Sequence, residues 1–223
     1  MSEFVIKIIA HIKTDFKEKF GIPRQSGLVK SALGKIVFEP EYKNSDALRG
    51  LDEYSHLWLI WQFSESVRSS WSPTVRPPRL GGNTRVGVFA TRSPFRPNSM
   101  GLSCVKIESI DFANTEIYVS GVDMLDGTPI FDIKPYLPYV DSIEDASGGF
   151  AERYKDYSLE VEITDELLEK VPENHRRSIM EILSGDPRPS YQNDPERIYG
   201  MSYAGYEIKF KVTDKVVTVI EIE

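Results

Sequence analysis

The chain has 223 residues, 40% hydrophobic and 27% charged, which can bury one large or two small cores and excludes a disordered, collagenous or coiled-coil protein. Its 27 basic and 34 acidic residues give a net charge of −7, which taken alone argues against a nucleic-acid partner. No apolar run approaches the ~20 residues of a membrane span, and no secretory signal is visible. A single cysteine, Cys104, excludes an intramolecular disulfide. We therefore expect a soluble protein of the reducing cytoplasm, with no membrane partner.

The predicted elements are mainly short β-strands between turn signals. In chain order, strands are predicted over residues 3–12, 35–39, 56–63, 84–91, 101–110, 115–122, 129–134, 157–163, 202–212 and 215–222. Their close spacing favours a barrel or a sandwich over βαβ units, so the N-terminal two thirds is predicted to be mainly β. Two short helices are predicted after residue 163, one capped by Thr164 and one over residues 175–183.

A looser acidic stretch over residues 141–156 is the best candidate for a domain boundary. It predicts an N-terminal β domain over residues 1–145 and a small α+β domain over residues 146–223. Two long loops rich in Pro and Gly, over residues 21–31 and 69–82, interrupt the strands of the first domain. Loops of that length inside a compact domain are usually functional or disordered, and Trp71 in the second loop argues for order.

The charges are unevenly distributed along the chain. Between Glu65 and Glu108 there is no acidic residue, while residues 66–107 carry seven basic residues, six of which are arginines. The remainder has 20 basic and 34 acidic residues, a net charge of −14. Because arginine suits bidentate contact with phosphate, this segment reverses the first interpretation and indicates a polyanionic partner.

The common catalytic and nucleotide-binding motifs are absent from the sequence. It has no P-loop, no GxGxxG after a strand, no HExxH and no GxSxG. The three histidines, His11, His56 and His175, are far apart and are expected to be structural or exposed. Asp126 precedes Gly127, so it is first of all a turn residue and only secondarily a polar contact.

The segment TRSPFRPNSMGL, residues 91–102, is harder to explain by structure alone. Pro94 and Pro97 stiffen its backbone, and Arg92 and Arg96 stand four residues apart. A rigid cationic loop at a strand end suits an anionic or nucleotide ligand. An exposed loop that keeps a sheet edge soluble would have the same composition, so the two interpretations stay open.

Several segments together closely resemble one known family. They are GIPRQSGLVKS (21–31), LRGLDEYSHLWLIW (48–61), SPTVRPPRLGG (72–82), GVFATRSPFRPNSMGLS (87–103) and DMLDGTPIFDIKPYLPY (123–139). They resemble the TsaA/YaeB-like family, whose characterised members are TrmO-type tRNA (adenine-N6)-methyltransferases. The sequence SGDPRPSYQ (184–192) is similar to the C-terminal domain of the bacterial branch.

The resemblance implies a fold, an activity and a partner. It implies transfer of a methyl group from S-adenosylmethionine to N6 of N6-threonylcarbamoyladenosine at position 37, next to the anticodon of threonine tRNAs. It also implies a single-sheeted β-barrel in place of a Rossmann sheet, and a homodimer with the cofactor near the interface. A metal is not expected, because methyl transfer from a sulfonium needs mainly alignment and exclusion of water.

The resemblance also implies site residues. The implied cofactor contacts are Gln25, Ser26, Gly27, Ser64, Glu65, Arg92, Leu102, Val122, Asp123, Met124 and Leu125. Because positive charge disappears from sulfur during transfer, Arg92 is assigned to the cofactor carboxylate or to RNA. Asp126 is the candidate catalytic residue, as acceptor of the N6 proton.

Basic and aromatic side chains are predicted to contact the anticodon stem-loop. The predicted RNA-binding residues are Arg76, Arg79, Arg85, Arg96 and Lys134, with Trp71 or Tyr136 stacking on an unpaired base. Lys134 would equally fit a strand-edge charge. Two alternatives remain at this stage: an RNA-binding barrel without catalysis, and a methyltransferase acting on a small molecule or a protein.

Overall fold

The computed structural model describes residues 4–189 and 194–223. Its N-terminal part consists of short strands joined by loops and single 3-10 turns. The strands are β1 (Ala10–Thr14), β2 (Leu33–Phe38), β3 (His56–Gln62), β4 (Thr74–Val75), β5 (Val86–Gly87), β6 (Met100–Asp111), β7 (Glu116–Ser120) and β8 (Pro129–Pro135).

Six of these strands close into one antiparallel barrel in the order β1-β2-β7-β6-β3-β8. Strand β3 is paired along most of its length on both sides, with β6 from His56↔Lys106 to Gln62↔Met100 and with β8 from Leu57↔Pro135 to Trp61↔Ile130. The barrel closes through only two paired positions between β1 and β8, at Ala10↔Ile130 and His11↔Pro129. The predicted single-sheeted, mainly β fold is confirmed.

Alternating side chains fill the barrel. In β3, Leu57, Leu59 and Trp61 are buried, while the residues between them are partly exposed. This period of two matches a strand that is buried on one face, and each fully buried large apolar side chain stabilises the fold by roughly 1.5–3 kcal/mol. The same rule places Ser103 of β6 inside the barrel, where a hydroxyl needs a hydrogen-bond partner.

The C-terminal part is a second, smaller sheet with helices. After the short helix α1 (Pro138–Asp141), which follows β8, it contains β9 (Glu160–Glu162), α2 (Asp165–Glu169), α3 (Glu173–Ser184), β10 (Tyr199–Tyr203), β11 (Tyr206–Thr213) and β12 (Val216–Ile222). The sheet order is β10-β11-β12-β9, with β9 parallel to β12. Both predicted helices are present, and Thr164 caps α2 by accepting a hydrogen bond from the Leu167 N–H.

Four strand predictions have wrong bounds. The strand predicted over residues 3–12 begins only at Ala10 and continues to Thr14, and residue 3 lies outside the described residues. The strand predicted over 84–91 shrinks to β5 followed by a 3-10 turn. The one predicted over 157–163 shrinks to β9. The one predicted over 202–212 is interrupted at Ala204-Gly205, where both residues have positive φ and form the turn of a hairpin.

The predicted boundary between residues 145 and 146 stays a prediction. A six-residue 3-10 helix, Gly149–Tyr154, lies in the stretch between the barrel and the second sheet. Of the SGDPRPSYQ motif, residues 190–192 lie outside the described residues. Among the helices in the described part of the chain, none is both long and apolar enough to cross a membrane.

Candidate functional site

A chain of hydrogen bonds runs from the barrel interior to Asp123, just after β7. The Trp61 indole Nε1–H donates to Ser103 Oγ at 2.9 Å, and Ser103 Oγ–H donates to Asp123 Oδ1 at 2.6 Å. Trp61 and Ser103 are both buried. Because each donor is itself anchored, the carboxyl group of Asp123 is held in one orientation at the end of the barrel.

Gly101 makes this geometry possible. A Cβ at that position would lie 2.2 Å from Cε2 of Trp61, closer than any real contact. The absence of a side chain lets the indole lie flat against β6, which brings its N–H to Ser103 two residues further along the strand. The resemblance pointed to the stretch around Gly101, and the Trp61 contact supplies the physical reason for the glycine.

The loop over residues 21–32, called here the 21–32 loop, is hydrogen-bonded to the ends of β6 and β7. Ser26 Oγ accepts from the Cys104 N–H at 3.0 Å, and the Gly27 N–H donates to the Gly121 carbonyl at 2.9 Å. A Cβ on Gly121 would lie 3.3 Å from Gly27 Cα, and Gly121 has a φ of +77°. The loop therefore packs backbone against backbone beside Asp123.

Arg92 connects the predicted cationic loop to this cluster. Its guanidinium donates to the side-chain oxygen of Gln25, and its positive charge acts on Asp123. Three of the segments that the resemblance assigned to cofactor binding thus converge in space: residues 25–27, Arg92 and residues 122–125. Their individual roles as contacts stay predictions.

Burial gives Asp123 unusual acid–base behaviour. Desolvation raises the pKa of its carboxyl from 3.8 to about 6, against the opposing effects of the Ser103 hydrogen bond, backbone hydrogen bonds and Arg92. A carboxyl that titrates near neutrality can both take up and release a proton under ordinary conditions. No sequence pattern indicated this property, because it depends on neighbours that are distant in the chain.

Asp126, only three residues further on, has a different environment. Its carboxylate accepts from the Thr14 N–H at 3.0 Å and lies 2.8 Å from the Lys17 ammonium. Partial burial would raise the pKa of Asp126, but the hydrogen bonds from Lys17 and Thr14 hold it below its usual value. The assignment of Asp126 as the base stays a prediction, although this geometry gives it a structural role and makes it a weaker base than Asp123.

The remaining predicted cofactor contacts fall into two groups. Val122 and Met124 are fully buried, so neither is exposed to a ligand in this structure, and their roles as contacts stay predictions. Leu102 is 56% exposed on the outer face of β6, whereas Glu65 pairs with Lys19 at 3.2 Å in the turn Ser64–Ser66 that follows β3. The described contacts therefore do not join Ser64 and Glu65 to the Asp123 cluster.

The segment over residues 66–98, called here the arginine segment, is built on the ribbon of β4 and β5. Trp71 and Phe89 stack with ring centroids 6.1 Å apart, and the two rings are 52% and 72% exposed. The guanidinium of Arg68 lies 3.6 Å above the ring centroid of Phe95. Exposed aromatic rings beside arginines suit a ligand that has both bases and phosphates.

The arginines of this segment lack acidic partners. Among residues 4–189 and 194–223, the arginines that form salt bridges are Arg49, Arg177 and Arg188, all outside the segment. The six arginines between Glu65 and Glu108 form no salt bridge in the described part of the chain, and the contacts that they make there are with uncharged groups. These are Arg79 with the Tyr154 carbonyl, Arg85 with Thr74 Oγ1, Arg92 with Gln25, Arg96 with the Thr91 carbonyl, and Arg68 with Phe95. Their positive charges are thus available to an external anion.

Lys134 and Tyr136 are less available for contact with RNA than the side chains of the arginine segment. Lys134 lies 3.1 Å from Asp132 on the same strand, β8. Tyr136 packs against the rings of His56 and Trp58. Of the two aromatic candidates for base stacking, Trp71 is therefore the better placed, and the RNA contact of Lys134 stays a prediction.

The C-terminal part holds the 21–32 loop at both ends. Arg24 Nη2 donates to the carbonyl oxygens of Asp186 and Arg188 at 3.1 and 3.0 Å. At the other end, Ser31 donates from N and Oγ to Glu181 Oε2 on α3 at 3.1 and 2.9 Å. The sequence reasoning missed these contacts, although both GIPRQSG and SGDPRP were noticed as motifs.

Two surface cavities lie away from Asp123. One of about 510 Å³ is lined by Lys7, Ile8, Glu39, Pro40, Glu41 and Tyr42. The other, of about 290 Å³, is lined by Phe20, Pro189, Arg197, Ile198, Tyr199 and Gly200. Neither contains a predicted site residue. We place the candidate site at Asp123 because its hydrogen bonds and perturbed acidity are specific, whereas cavity volume alone is not.

Among the described residues, no group of three or more His, Cys, Asp or Glu side chains is arranged to hold a metal ion. Whether the protein uses a metal stays a prediction from the sequence.

Comparison with known proteins identifies two family models that together span most of the chain. The model of the tRNA-methyltransferase O N-terminal domain matches residues 11–142, and that of the TrmO C-terminal domain matches residues 156–223.

Individual relatives agree with these matches. The tRNA (adenine(37)-N6)-methyltransferase of Escherichia coli K12 is 41% identical over 233 residues, covering 100% of this chain and 99% of its own. A Pseudomonas aeruginosa protein, provisionally named an S-adenosylmethionine-dependent methyltransferase, RcsF, is 41% identical and covers 86% of both chains. A crystal structure of TrmO from Pseudomonas aeruginosa has a TM-score of 0.80 and 31% identity over the full length of both chains.

Proposed function

Because this chain belongs to the tRNA-methyltransferase O family, we infer that it transfers a methyl group from S-adenosylmethionine to N6 of adenosine 37 in tRNA. We further propose that the natural acceptor is N6-threonylcarbamoyladenosine in threonine tRNAs, and that the bound portion is the anticodon stem-loop. We also propose that the protein works in the cytoplasm.

The residues around Asp123 fit the chemistry of this cofactor. S-adenosylmethionine supplies an activated methyl group on a positively charged sulfur and also carries an amino acid group and an adenosine. Gln25 and Ser26 offer an amide and a hydroxyl, and the backbone at Gly27 is open, because nothing lies within 4 Å of a Cβ built on that residue. Arg92 offers a cation for the carboxylate. These residues would hold the cofactor beside residues 122–125.

The position of Arg92, between the arginine segment and the candidate cofactor site, is the single observation that carries the proposal. Arg92 belongs to the arginine segment, and it also touches the 21–32 loop and acts on Asp123. A polyanion lying on the arginine segment would therefore approach the candidate cofactor site directly. Methyl transfer requires little more of the protein than alignment of donor and acceptor with exclusion of water, and this adjacency supplies the alignment.

We propose that the arginine segment binds the phosphates of the anticodon stem. Arg76, Arg85 and Arg96 would make phosphate contacts, and Trp71 would stack on an unpaired base of the loop. Arg79 has a mixed role, because its guanidinium also donates to the Tyr154 carbonyl. Lys134 would be a peripheral RNA contact, and to make it Lys134 would have to give up its salt bridge with Asp132 for a phosphate.

We propose that the active form is a homodimer. Leu102, itself a predicted cofactor contact, is 56% exposed, and Leu28, next to Gly27, is 55% exposed, so a single chain leaves these two apolar side chains in water at the site. A second copy of the chain is the occupant we propose for that surface. Sedimentation equilibrium of wild type and of Leu102→Glu tests this: a monomeric wild-type protein would remove the proposal.

The test of the function combines product analysis with salt dependence. Purified protein, S-adenosylmethionine and tRNA from a strain lacking this gene should yield a methylated adenosine 37 by nucleoside mass spectrometry. Replacing Arg76 and Arg85 by Ala should weaken tRNA binding and reduce the slope of log K against log salt by about 1.5–2, because two phosphate contacts are lost.

A matched control for the charge change is the double variant Lys43→Ala, Arg49→Ala, which removes two exposed cations outside the arginine segment. It should leave the salt slope unchanged. An unchanged slope in the Arg76, Arg85 variant would show that these arginines do not contact the RNA. If the wild-type protein left adenosine 37 unmethylated, the proposed function would be contradicted.

A further inference from the structure

The carboxyl group of Asp123 lies where three elements of the barrel end meet. Ser103 of β6 donates a hydrogen bond to it, and the backbone of Ser26 in the 21–32 loop and the charge of Arg92 in the arginine segment both favour its ionised form. Such an arrangement is costly to build around an ordinary surface carboxylate. It therefore calls for an explanation beyond cofactor contact.

We propose that Asp123 is the catalytic residue that accepts the N6 proton of the target adenosine during methyl transfer. This inference rests on the proposed function and deepens it. It replaces Asp126, the acceptor that the sequence reasoning favoured.

Four of the titratable side chains in or near the barrel each have a charged or titratable partner. His11 contacts Glu39 at 2.6 Å, Glu65 pairs with Lys19, Asp126 pairs with Lys17, and His175 lies 3.7 Å from Asp15. By contrast, the direct side-chain partner of Asp123 is the neutral hydroxyl of Ser103. A carboxylate without a bound ammonium keeps more of its proton affinity, so Asp123 suits proton uptake better than any of these groups.

The groups that face Asp123 do not compete with it near neutral pH. The 21–32 loop contributes the backbone of Ser26, β3 contributes Trp61 through Ser103, and the arginine segment contributes the permanently charged Arg92. Cys104, next to Ser103, is the nearest thiol, and burial raises the pKa of that thiol. An acid-side inflection in the pH profile would therefore report Asp123.

The proposed step balances in atoms and charge. The N6 lone pair forms the new bond to the methyl carbon. The carbon–sulfur bond breaks at the same time, and the electron pair of that bond stays on sulfur. Asp123 takes the N6 proton, so the carboxylate becomes a carboxylic acid and the sulfonium becomes a thioether. One negative and one positive charge disappear together, and no oxidant, reductant or further reactant is needed.

This balance also explains why a carboxyl group that can take up a proton suits this site. A fixed anion would stabilise the positive sulfur of the bound cofactor more than the transition state, in which that charge is disappearing, and would slow transfer. A carboxylate that takes up a proton in the same step leaves no unpaired charge in the buried site, and burial favours that neutral product. The Trp61-Ser103 pair holds the carboxylate so that the proton can reach a fixed atom.

The test compares Asp123→Asn and Ser103→Ala with wild type in full-length protein. Single-turnover methylation is measured from pH 5 to 9 at saturating S-adenosylmethionine, and calorimetry gives the affinities for S-adenosylmethionine and for its neutral product S-adenosylhomocysteine. We expect Asp123→Asn to lower the rate by about 10²–10⁴-fold, with both affinities within threefold of wild type.

Ser103→Ala keeps the proposal testable if the Asn variant fails to fold. The Ser103 hydrogen bond stabilises the ionised carboxylate, so its loss raises the pKa of Asp123. The acid limb of the rate profile, expected near pH 6 in wild type, should then move to higher pH, which a purely structural serine would not cause.

Two results would overturn the proposal. One is an Asn variant that transfers at the wild-type rate when saturated. The other is an Asn variant that loses affinity for S-adenosylmethionine but not for S-adenosylhomocysteine, because Asp123 would then be a ligand of the sulfonium charge. Failure of the proposed function itself is a different result, since wild type would then leave tRNA unmethylated while still giving calorimetric data.

Discussion

The 21–32 loop and the arginine segment meet at Arg92, yet they are held in opposite ways. The loop is fixed at both ends by the C-terminal part, through Arg24 and Ser31, and its middle is hydrogen-bonded to β6 and β7. The arginine segment rests on a ribbon of two-residue strands, with its arginines in neutral contacts and its aromatic rings exposed.

This difference separates two requirements of methyl transfer to RNA. Donor and acceptor atoms must be aligned closely, which favours a loop that is anchored at both ends. A polyanion is recognised through many weak contacts that adapt to its shape, which favours unpaired cations on a lightly held segment. The predictions below test this division, from the largest expected effect to the smallest.

On the anchored side, we expect Asp123→Asn to stabilise the protein at pH 8 by ~3 kcal/mol. The pKa of Asp123 is raised from 3.8 to about 6, and one unit corresponds to about 1.4 kcal/mol. The folded state then binds this proton more tightly than the unfolded chain, so wild-type stability falls as pH rises from about 4 to 6 and stays lower above that. Urea unfolding at pH 4 and pH 8 measures the effect.

Asp126→Asn is the matched control, with the opposite sign. Its pKa is lowered, so its carboxylate contributes stability above its ordinary pKa that is lost as pH falls through the folded value. We expect a loss of about 1 kcal/mol at pH 8. If both Asn variants were destabilised at pH 8, the hydrogen bonds to Asp123 would outweigh its burial, and the contrast between the two carboxylates would disappear.

Much of the barrel follows from alternation in the sequence. Strands β2, β3, β6, β7 and β8 were predicted to within a few residues, because one face of each is buried. The prediction over residues 84–91 was wrong because Gly87 and the turn after it end the ribbon at two residues. The hairpin at Ala204 was missed because a non-glycine residue with positive φ has no reliable sequence signal.

The site was only partly accessible to sequence reasoning. The resemblance selected residues 25–27, Arg92 and Asp123, which do converge, but not the contacts that set their chemistry. Ser103 is 20 residues from Asp123, Trp61 is 42 from Ser103, and Arg24 is 162 from Asp186. Pairings at such separations depend on the closed barrel and on the placement of the second sheet, so no local pattern encodes them.

The anchoring of the loop predicts a defect that is specific to the cofactor. Arg24→Ala removes two hydrogen bonds from a charged donor to the carbonyls of Asp186 and Arg188. We expect the affinity for S-adenosylhomocysteine to fall about tenfold, or ~1.4 kcal/mol, because binding must then also order residues 25–27. Calorimetry measures this, and tRNA affinity should stay within twofold.

Arg49→Ala is the control for Arg24→Ala, because within residues 4–189 and 194–223 its exposed guanidinium pairs only with Asp46, three residues earlier. It should leave both affinities unchanged. Equal cofactor affinity in Arg24→Ala and wild type would mean that the loop keeps its geometry without the C-terminal part, and the anchored half of the comparison would fail.

The smallest effect is expected on the lightly held side, at Trp71. Its ring is about half exposed and already stacked on Phe89, so Trp71→Ala should weaken binding of an anticodon stem-loop RNA by about fivefold, or ~1 kcal/mol, near the lower limit for base–aromatic stacking. Trp71→Phe should recover most of the loss, because a phenyl ring still offers a stacking face. Fluorescence anisotropy of labelled RNA measures both.

Phe112→Ala removes another exposed aromatic ring, in the turn between β6 and β7 that is flanked by Asp111 and Glu116, and it should leave RNA binding unchanged. The informative contrast is between RNA and cofactor affinity in Trp71→Ala. If S-adenosylhomocysteine binding fell together with RNA binding, the arginine segment would be part of the rigid cofactor site. An RNA-only defect instead supports two surfaces, one anchored and one adaptable, that are joined through Arg92.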